Sequence, residues 1–182
     1  LDFAFNNAGI GGTMQIETAT LETWRRIIDL NLWGVIYGVD AALPIMRKQG
    51  HGHIVNTSSI AGIIPPPYQA LYCASKYAVT GMTECLRYEL ANEGVRFSLI
   101  CPGNVATNIF GGLTPPDDAI SPETAAQIIL TGVANNENLI IFPDKYKKMY
   151  ENYRYHPNEA EKNLLALADE RREAYRKGGK YY

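Results

Sequence analysis

Tyr72 and Lys76 stand four residues apart in the run Tyr72-Cys73-Ala74-Ser75-Lys76. On a helix that spacing puts a phenol and an ammonium on one face, one turn apart. A nearby cation favours the phenolate and draws the phenol down from its usual pKa of about 10. A tyrosine so placed can give and take a proton near pH 7, which is general acid–base work. Two hydroxyls able to steady charge on a reacting oxygen, Ser58 and Ser59, lie upstream at the end of an apolar run. Pro102-Gly103 follows a second such run downstream. Tyr-x-x-x-Lys alone recurs on many solvated helices; it is this combination that is specific.

These groups need a frame to hold them. Leu1–Phe5 reads as a short buried strand running into the Gly-bearing turn Asn6-Asn7-Ala8-Gly9. From Thr20 to Lys48, Leu21, Trp24, Ile27, Ile28, Leu32, Val35, Ile36 and Val39 recur at helical spacing, and Pro44 is expected to kink or end that helix. His53–Asn56 reads as a second strand with Thr57-Ser58-Ser59 at its carboxyl end. A second long helix is predicted over Leu71–Asn92, stopped by Gly94, and a third strand over Val95–Cys101. Ser121-Pro122-Glu123 starts a helix reaching about Ala134, and Leu139–Phe142 is a fourth strand. The tail from Lys145 is charged and helical, and Asn158 with Glu161 resembles a capping box.

Strands alternating with helices call for a parallel sheet covered on both faces, an α/β doubly wound fold. Such sheets bind ligands beyond the carboxyl ends of their strands. Asn7–Gly9, Ser58–Ser59 and Pro102–Thr107 all fall at such ends and so converge on one rim.

With 182 residues, 46% hydrophobic and 20% charged, the chain is long and apolar enough for one ordinary globular core. A net charge of −2 gives no sign of a nucleic-acid partner. Cys73, Cys85 and Cys101 have neither metal-ligand spacing nor an even count, which suits a reducing cytoplasm better than a disulfide framework. His51, His53 and His156 also lack partners at ligand spacing, so no metal is expected. No apolar run is expected to span a membrane.

In five ordered motifs the chain resembles the short-chain dehydrogenase/reductase family. They are Asn6-Asn7-Ala8-Gly9, Asn31 within Leu30-Asn31-Leu32-Trp33-Gly34-Val35, Ile54–Gly62 containing Ser58 and Ser59, the Tyr72–Lys76 run, and Pro102-Gly103-Asn104-Val105-Ala106-Thr107. The resemblance covers Leu1 to about Pro143 and implies a Rossmann-like domain over 1–143, with 144–182 as a charged helical tail. It implies an NAD(P)-dependent oxidoreductase interconverting a secondary alcohol and a ketone. Tyr72 is then the general acid/base, and Lys76 lowers its pKa and binds the nicotinamide ribose. Of the two serines the resemblance favours Ser59 as the substrate-oxygen donor, with Ser58 on the other side of the strand. Asn31 belongs to a proton relay towards the lysine; a core asparagine bonding a backbone carbonyl is the plainer reading, compatible with it. Asn7, Ala8 and Gly9 are expected against the adenosine ribose, and Pro102, Gly103, Val105 and Thr107 around the nicotinamide.

One departure is large. The family's Thr-Gly-x-x-x-Gly-x-Gly turn, which cradles the dinucleotide pyrophosphate, is absent, so roughly 80 residues are expected upstream at about 30 per βαβ unit. The residue that chooses between NAD and NADP is expected there too.

Asn108–Ile120, with its Gly and Pro pairs, is expected to be a substrate lid, and Pro65–Tyr68 another pocket wall; both are apolar and point to a hydrophobic alcohol or ketone. By the same resemblance the two long helices pack against a second subunit, giving a homodimer or homotetramer. The tail can cap the pocket, touch a partner subunit or lie in solvent. The rival to an enzyme is a non-catalytic dinucleotide-binding sensor or scaffold of the same fold; it ranks lower because such proteins usually lose the tyrosine or the lysine, and this chain keeps both.

Overall fold

The computed structural model describes residues 1–179. Among them, four strands form one wholly parallel sheet in the order β1 (Phe3–Asn6), β2 (Gly52–Thr57), β3 (Val95–Pro102), β4 (Leu139–Phe142). The register sets Asn6 opposite Asn56, Thr57 opposite Ile100 and Pro102 opposite Phe142. The polar segments that follow β1, β2 and β3 therefore leave the sheet on one edge.

The first long helix is continuous over Leu21–Gln49: α1 (Leu21–Ile28), a π-helical turn (Asp29–Trp33) and α2 (Gly34–Gln49). Thr20 opens it, its hydroxyl accepting the Thr23 N–H at 3.1 Å. The expected end at Pro44 does not occur. Ala42 and Met46, on either side of the proline, are buried in the core, and their packing offsets the hydrogen bond that proline removes. Gly50, left-handed with φ 75°, closes the helix. Contrary to the sequence expectation, this 29-residue run is long and apolar enough to cross a membrane by composition alone. Its packing gives another reason for that composition: Val35, Val39, Ala42 and Met46 join Ile54 of β2 and Phe97 of β3 in one core.

The other helices are α3 (Ala70–Glu89), α4 (Pro122–Ala134), α5 (Asp144–Tyr155) and α6 (Pro157–Arg176). Helices cover both faces of the sheet. Val79 of α3 lies in the same core as α2, and Tyr150 and Tyr153 of α5 and Leu164 of α6 pack against it. On the opposite face, Ala125 and Val133 of α4 pack on Val55, Ile100, Ile140 and Phe142. This alternation of adjacent strand residues between two cores is what a doubly covered sheet requires. Each fully buried Leu, Ile, Phe or Met contributes about 1.5–3 kcal/mol. Phe3 and Phe5 of β1 point to the α4 side and remain exposed.

A polar chain ties β1, β2 and α3 together. Asn6 Nδ2 donates to Asn56 Oδ1 at 2.8 Å, Asn56 Nδ2 to Thr83 Oγ1 at 2.9 Å, and Thr83 to the Val79 carbonyl at 2.7 Å. Buried amides cost little when bonded in this way.

α6 begins at Pro157, with His156 as its N-cap, rather than at the expected Asn158 capping box. It is a packed element. The Arg171 guanidinium donates to the Pro67 carbonyl, and the Tyr68 and Tyr175 rings lie 5.2 Å apart.

Candidate active site

The site is assembled where β1, β2 and β3 end and α3 begins. Tyr72 and Lys76 are both buried on α3, and the ammonium lies 5.7 Å from the phenol ring centroid. Lys76 Nζ donates to the carbonyl of Thr57 at 3.0 Å, which pins the lysine to the end of β2. Burial pushes its pKa down from 10.5 to about 8, because among the described residues no carboxylate offsets the desolvation.

Gly62 lets α3 come this close. A Cβ there would fall 2.1 Å from Ser58 Oγ and 2.8 Å from the Lys76 carbonyl oxygen. The two serines then separate. Ser58 bonds to the Lys76 carbonyl and to Thr80 Oγ1, both at 2.9 Å, and so fastens strand to helix. Ser59 caps the short 3-10 turn Ile60–Gly62, accepting the Ala61 N–H at 3.1 Å. Its own proton is directed at the Pro102 carbonyl across a long 3.5 Å, a contact that an incoming oxygen can replace.

Asn31 lies fully buried in the π-turn, the kind of helical irregularity that gathers at functional sites. Its Oδ1 accepts the Ile10 N–H at 2.9 Å, and its Nδ2 donates to the Ile10 carbonyl at 3.0 Å and to Ser75 Oγ at 3.2 Å. It thus clamps the loop that follows β1 onto α3. Gly9 completes the junction, since a Cβ there would sit 3.2 Å from Asn31 Oδ1 and 3.4 Å from Lys76 Nζ.

These residues line a cavity of about 1260 Å³. Asn7, Ala8, Gly9, Ser58, Ser59, Tyr72, Lys76, Pro102, Gly103, Val105 and Thr107 all reach it; Asn31 stands behind them. The volume admits a dinucleotide nicotinamide half and a small molecule together. Of the segment expected as a lid, Asn108, Ile109 and Gly111 line the cavity. The expectation for Pro65–Tyr68 does not hold. Those residues line neither cavity of the site and pack instead towards α6.

Motif reading missed five contributors. Thr57 holds Lys76 by its carbonyl and Asn7 by its hydroxyl, at 3.1 Å from Asn7 Oδ1. Its place just before the paired serines was the available signal. Ile27 of α1 and Ala125, Ala126 and Ile129 of α4 supply apolar wall. They belong to no motif, and only tertiary packing brings them to the rim.

An all-parallel sheet with a tyrosine–lysine helix crossing its carboxyl edge defines a dinucleotide-dependent class of fold. The short chain dehydrogenase family model matches residues 1–118, and the chain belongs to that family. It is 38% identical over 141 residues to an uncharacterized oxidoreductase of Staphylococcus saprophyticus, covering 71% of this chain and 57% of that protein. To the cyclohexanol dehydrogenase of an Acinetobacter species it is 38% identical over 138 residues, covering 71% of this chain and 55% of the other. Among solved structures it resembles a short chain dehydrogenase from Burkholderia cenocepacia in complex with NADP, with a TM-score of 0.82 at 25% identity, covering 91% of this chain and 69% of that one. The chain thus spans little more than half the length of these curated relatives.

Proposed function

We propose that the chain carries the catalytic centre of an oxidoreductase that interconverts a secondary alcohol and a ketone with NAD or NADP. The observation that carries this is the convergence of Tyr72, Lys76 and Ser59 on one cavity wall, beside the glycine-bearing ends of β1 and β3. The relatives named as dehydrogenases and the NADP-bound neighbour support the same reading. Asn7, Ala8 and Gly9 on one side and Pro102, Gly103, Val105 and Thr107 on the other would hold the dinucleotide. When bound, it supplies the hydride that reaches the carbonyl carbon.

Ser59 donates to the substrate oxygen and fixes it towards Tyr72. As negative charge grows on that oxygen, Tyr72 gives it the hydroxyl proton, so ketone, hydride and proton together make the alcohol. Oxidation runs the same path backwards. The Lys76 ammonium steadies the transient tyrosinate, and below about pH 8 it carries the charge that this needs. Asn31 holds the floor of the site and connects the lysine to the proton supply. Exposed aromatic residues on the outer helices, Trp33 and Tyr37 on one and Tyr77 and Tyr88 on the other, suit the homodimer or homotetramer expected from the resemblance.

The test is NADH and NADPH oxidation against a ketone panel, run beside fluorescence titration of each cofactor, with any native sequence that precedes Leu1 included. Turnover that Tyr72→Phe cuts by about 10²–10⁴-fold, with cofactor affinity kept, is expected. Cofactor binding with no turnover on any carbonyl would favour the sensor instead.

A further inference from the structure

Ser59 and Tyr72 stand between two spaces of very different size. One is the 1260 Å³ cavity; the other is an alcove of about 70 Å³. Both residues line both spaces, whereas Gly12, Ala61, Gln69, Asn104 and Phe110 line the alcove and not the large cavity. A carbonyl oxygen held between Ser59 and Tyr72 therefore has one substituent on each side. Liquid water occupies about 30 Å³ per molecule, so the alcove holds about two heavy atoms.

Its chemistry narrows the choice further. The wall contains no Lys, Arg or His. Gln69 Nε2 donates to Thr13 Oγ1 at 2.7 Å, and Asn104 Nδ2 donates to the two Asp118 oxygens at 3.1 and 3.3 Å. Burial alone would raise the Asp118 carboxyl, but hydrogen bonds from Lys145, Asn104 and Tyr146 outweigh it and hold the group below the usual carboxylate range. A carboxylate in the alcove would meet no lining cation and would lie beside an amide already committed to another carboxylate. A small alkyl group meets Ala61, Val105 and Phe110 instead.

The alcove is also braced at the base of the lid, whose Ile109 and Phe110 supply part of its wall. The two stems of the lid pair at Val105 and Ile120, with the Ala106 N–H donating to the Ile120 carbonyl at 2.9 Å. Asp118, on the returning stem, bonds Asn104 on the leaving stem, the Tyr146 hydroxyl at 3.0 Å and the Lys145 ammonium at the start of α5. The Tyr146 ring in turn covers Gly103, where a Cβ would fall 2.0 Å from it.

We propose that the substrate is a ketone, or the matching secondary alcohol, with one methyl or ethyl substituent seated in this alcove and its larger substituent in the main cavity. This rests on the oxidoreductase reading above and narrows it. The test compares kcat/KM of the unmodified protein for methyl, ethyl, n-propyl and isopropyl ketones in two series, one with phenyl and one with n-hexyl as the constant larger group. A fall of about 10–200-fold on passing from ethyl to propyl or isopropyl is expected. A flat series, with turnover still abolished by Tyr72→Phe, overturns the alcove and leaves the oxidoreductase standing. No Tyr72-dependent turnover on any ketone overturns both. Phe110→Leu, milder than Phe110→Ala at a buried site, is expected to raise the propyl-to-methyl ratio of kcat/KM about tenfold. An unchanged ratio in a variant with an unaltered melting profile counts against Phe110 as the alcove's limiting wall.

Discussion

At the scale of single residues, a few hydrogen bonds decide which of several equivalent side chains can act. Ser58 and Ser59 are adjacent and alike in sequence, yet Ser58 is spent on the Lys76 carbonyl and Thr80, while Ser59 lines the cavity and donates only across a long 3.5 Å to the Pro102 carbonyl. Ser59→Ala is therefore expected to lower kcat about 10²–10³-fold, beside a loss of about 0.5–2 kcal/mol in stability from the cap on Ala61. Ser58→Ala is expected to act mainly on stability. Lys76 is charged only below about pH 8, because burial lowers its pKa. Reductive turnover is accordingly expected to fall as pH rises through about 8, read as the alkaline limb of a kcat profile; a limb at pH 10 would mean the lysine titrates as if in water. The phenol–ammonium pair was legible in sequence because helical spacing fixes it. The bonds that divide the serines were not, since they depend on how closely α3 approaches β2.

At the scale of elements, close approaches position the site, and each has a residue that permits it. Gly62→Ala would force a methyl against the Lys76 carbonyl and push α3 away from Ser59. A loss of about 1–3 kcal/mol in urea denaturation is expected, together with reduced turnover. On the other face of β2, His53 is buried with Nε2 2.9 Å from Ser98 Oγ, and desolvation, aided by Arg96 and Arg87, lowers its pKa from 6.5 to about 4. The unfolded chain then binds the proton first, so stability is full above about pH 6.5 and declines as pH falls towards 4. Urea midpoints at pH 7.5 and 5.0 check this, and His53→Gln should flatten the difference. The alternation of strands and helices, and with it the rim, was readable from periodicity and from Gly and Pro punctuation. The span of the first long helix was readable to within a residue at each end, but whether it would end at Pro44 was not, because proline's local penalty is overridden by Ala42 and Met46, whose burial only the assembled core supplies. The start of α6 at Pro157 was missed for a related reason: the proline sets it without any side-chain cap.

At the scale of the whole molecule, one sheet carries two differently built faces. α2, α3, α5 and α6 share one core, and α4 covers part of the other, leaving Phe3 and Phe5 exposed. The tail is integrated at two places: Lys145 and Tyr146 bond Asp118 and cover Gly103 beside the pocket, and Arg171 and Tyr175 dock on the Pro67–Tyr68 loop. No motif announces that docking, which is why its place was open in the sequence. The outward Trp33 and Tyr37, with ring centroids 5.7 Å apart, give the first long helix an apolar outer patch. Sedimentation at micromolar concentration is expected to show a dimer or tetramer that Trp33→Glu with Tyr37→Glu dissociates; a wild-type monomer would remove the oligomer from the account.

The most direct measurement is label transfer. With nicotinamide cofactor carrying deuterium at the transferable position, the wild-type protein is expected to deliver that deuterium to the carbinol carbon of the product alcohol, and Tyr72→Phe to deliver almost none while still binding the cofactor. Equal deuterium transfer by Tyr72→Phe would contradict Tyr72 as the proton donor, and no transfer by the wild type to any ketone would contradict the oxidoreductase itself.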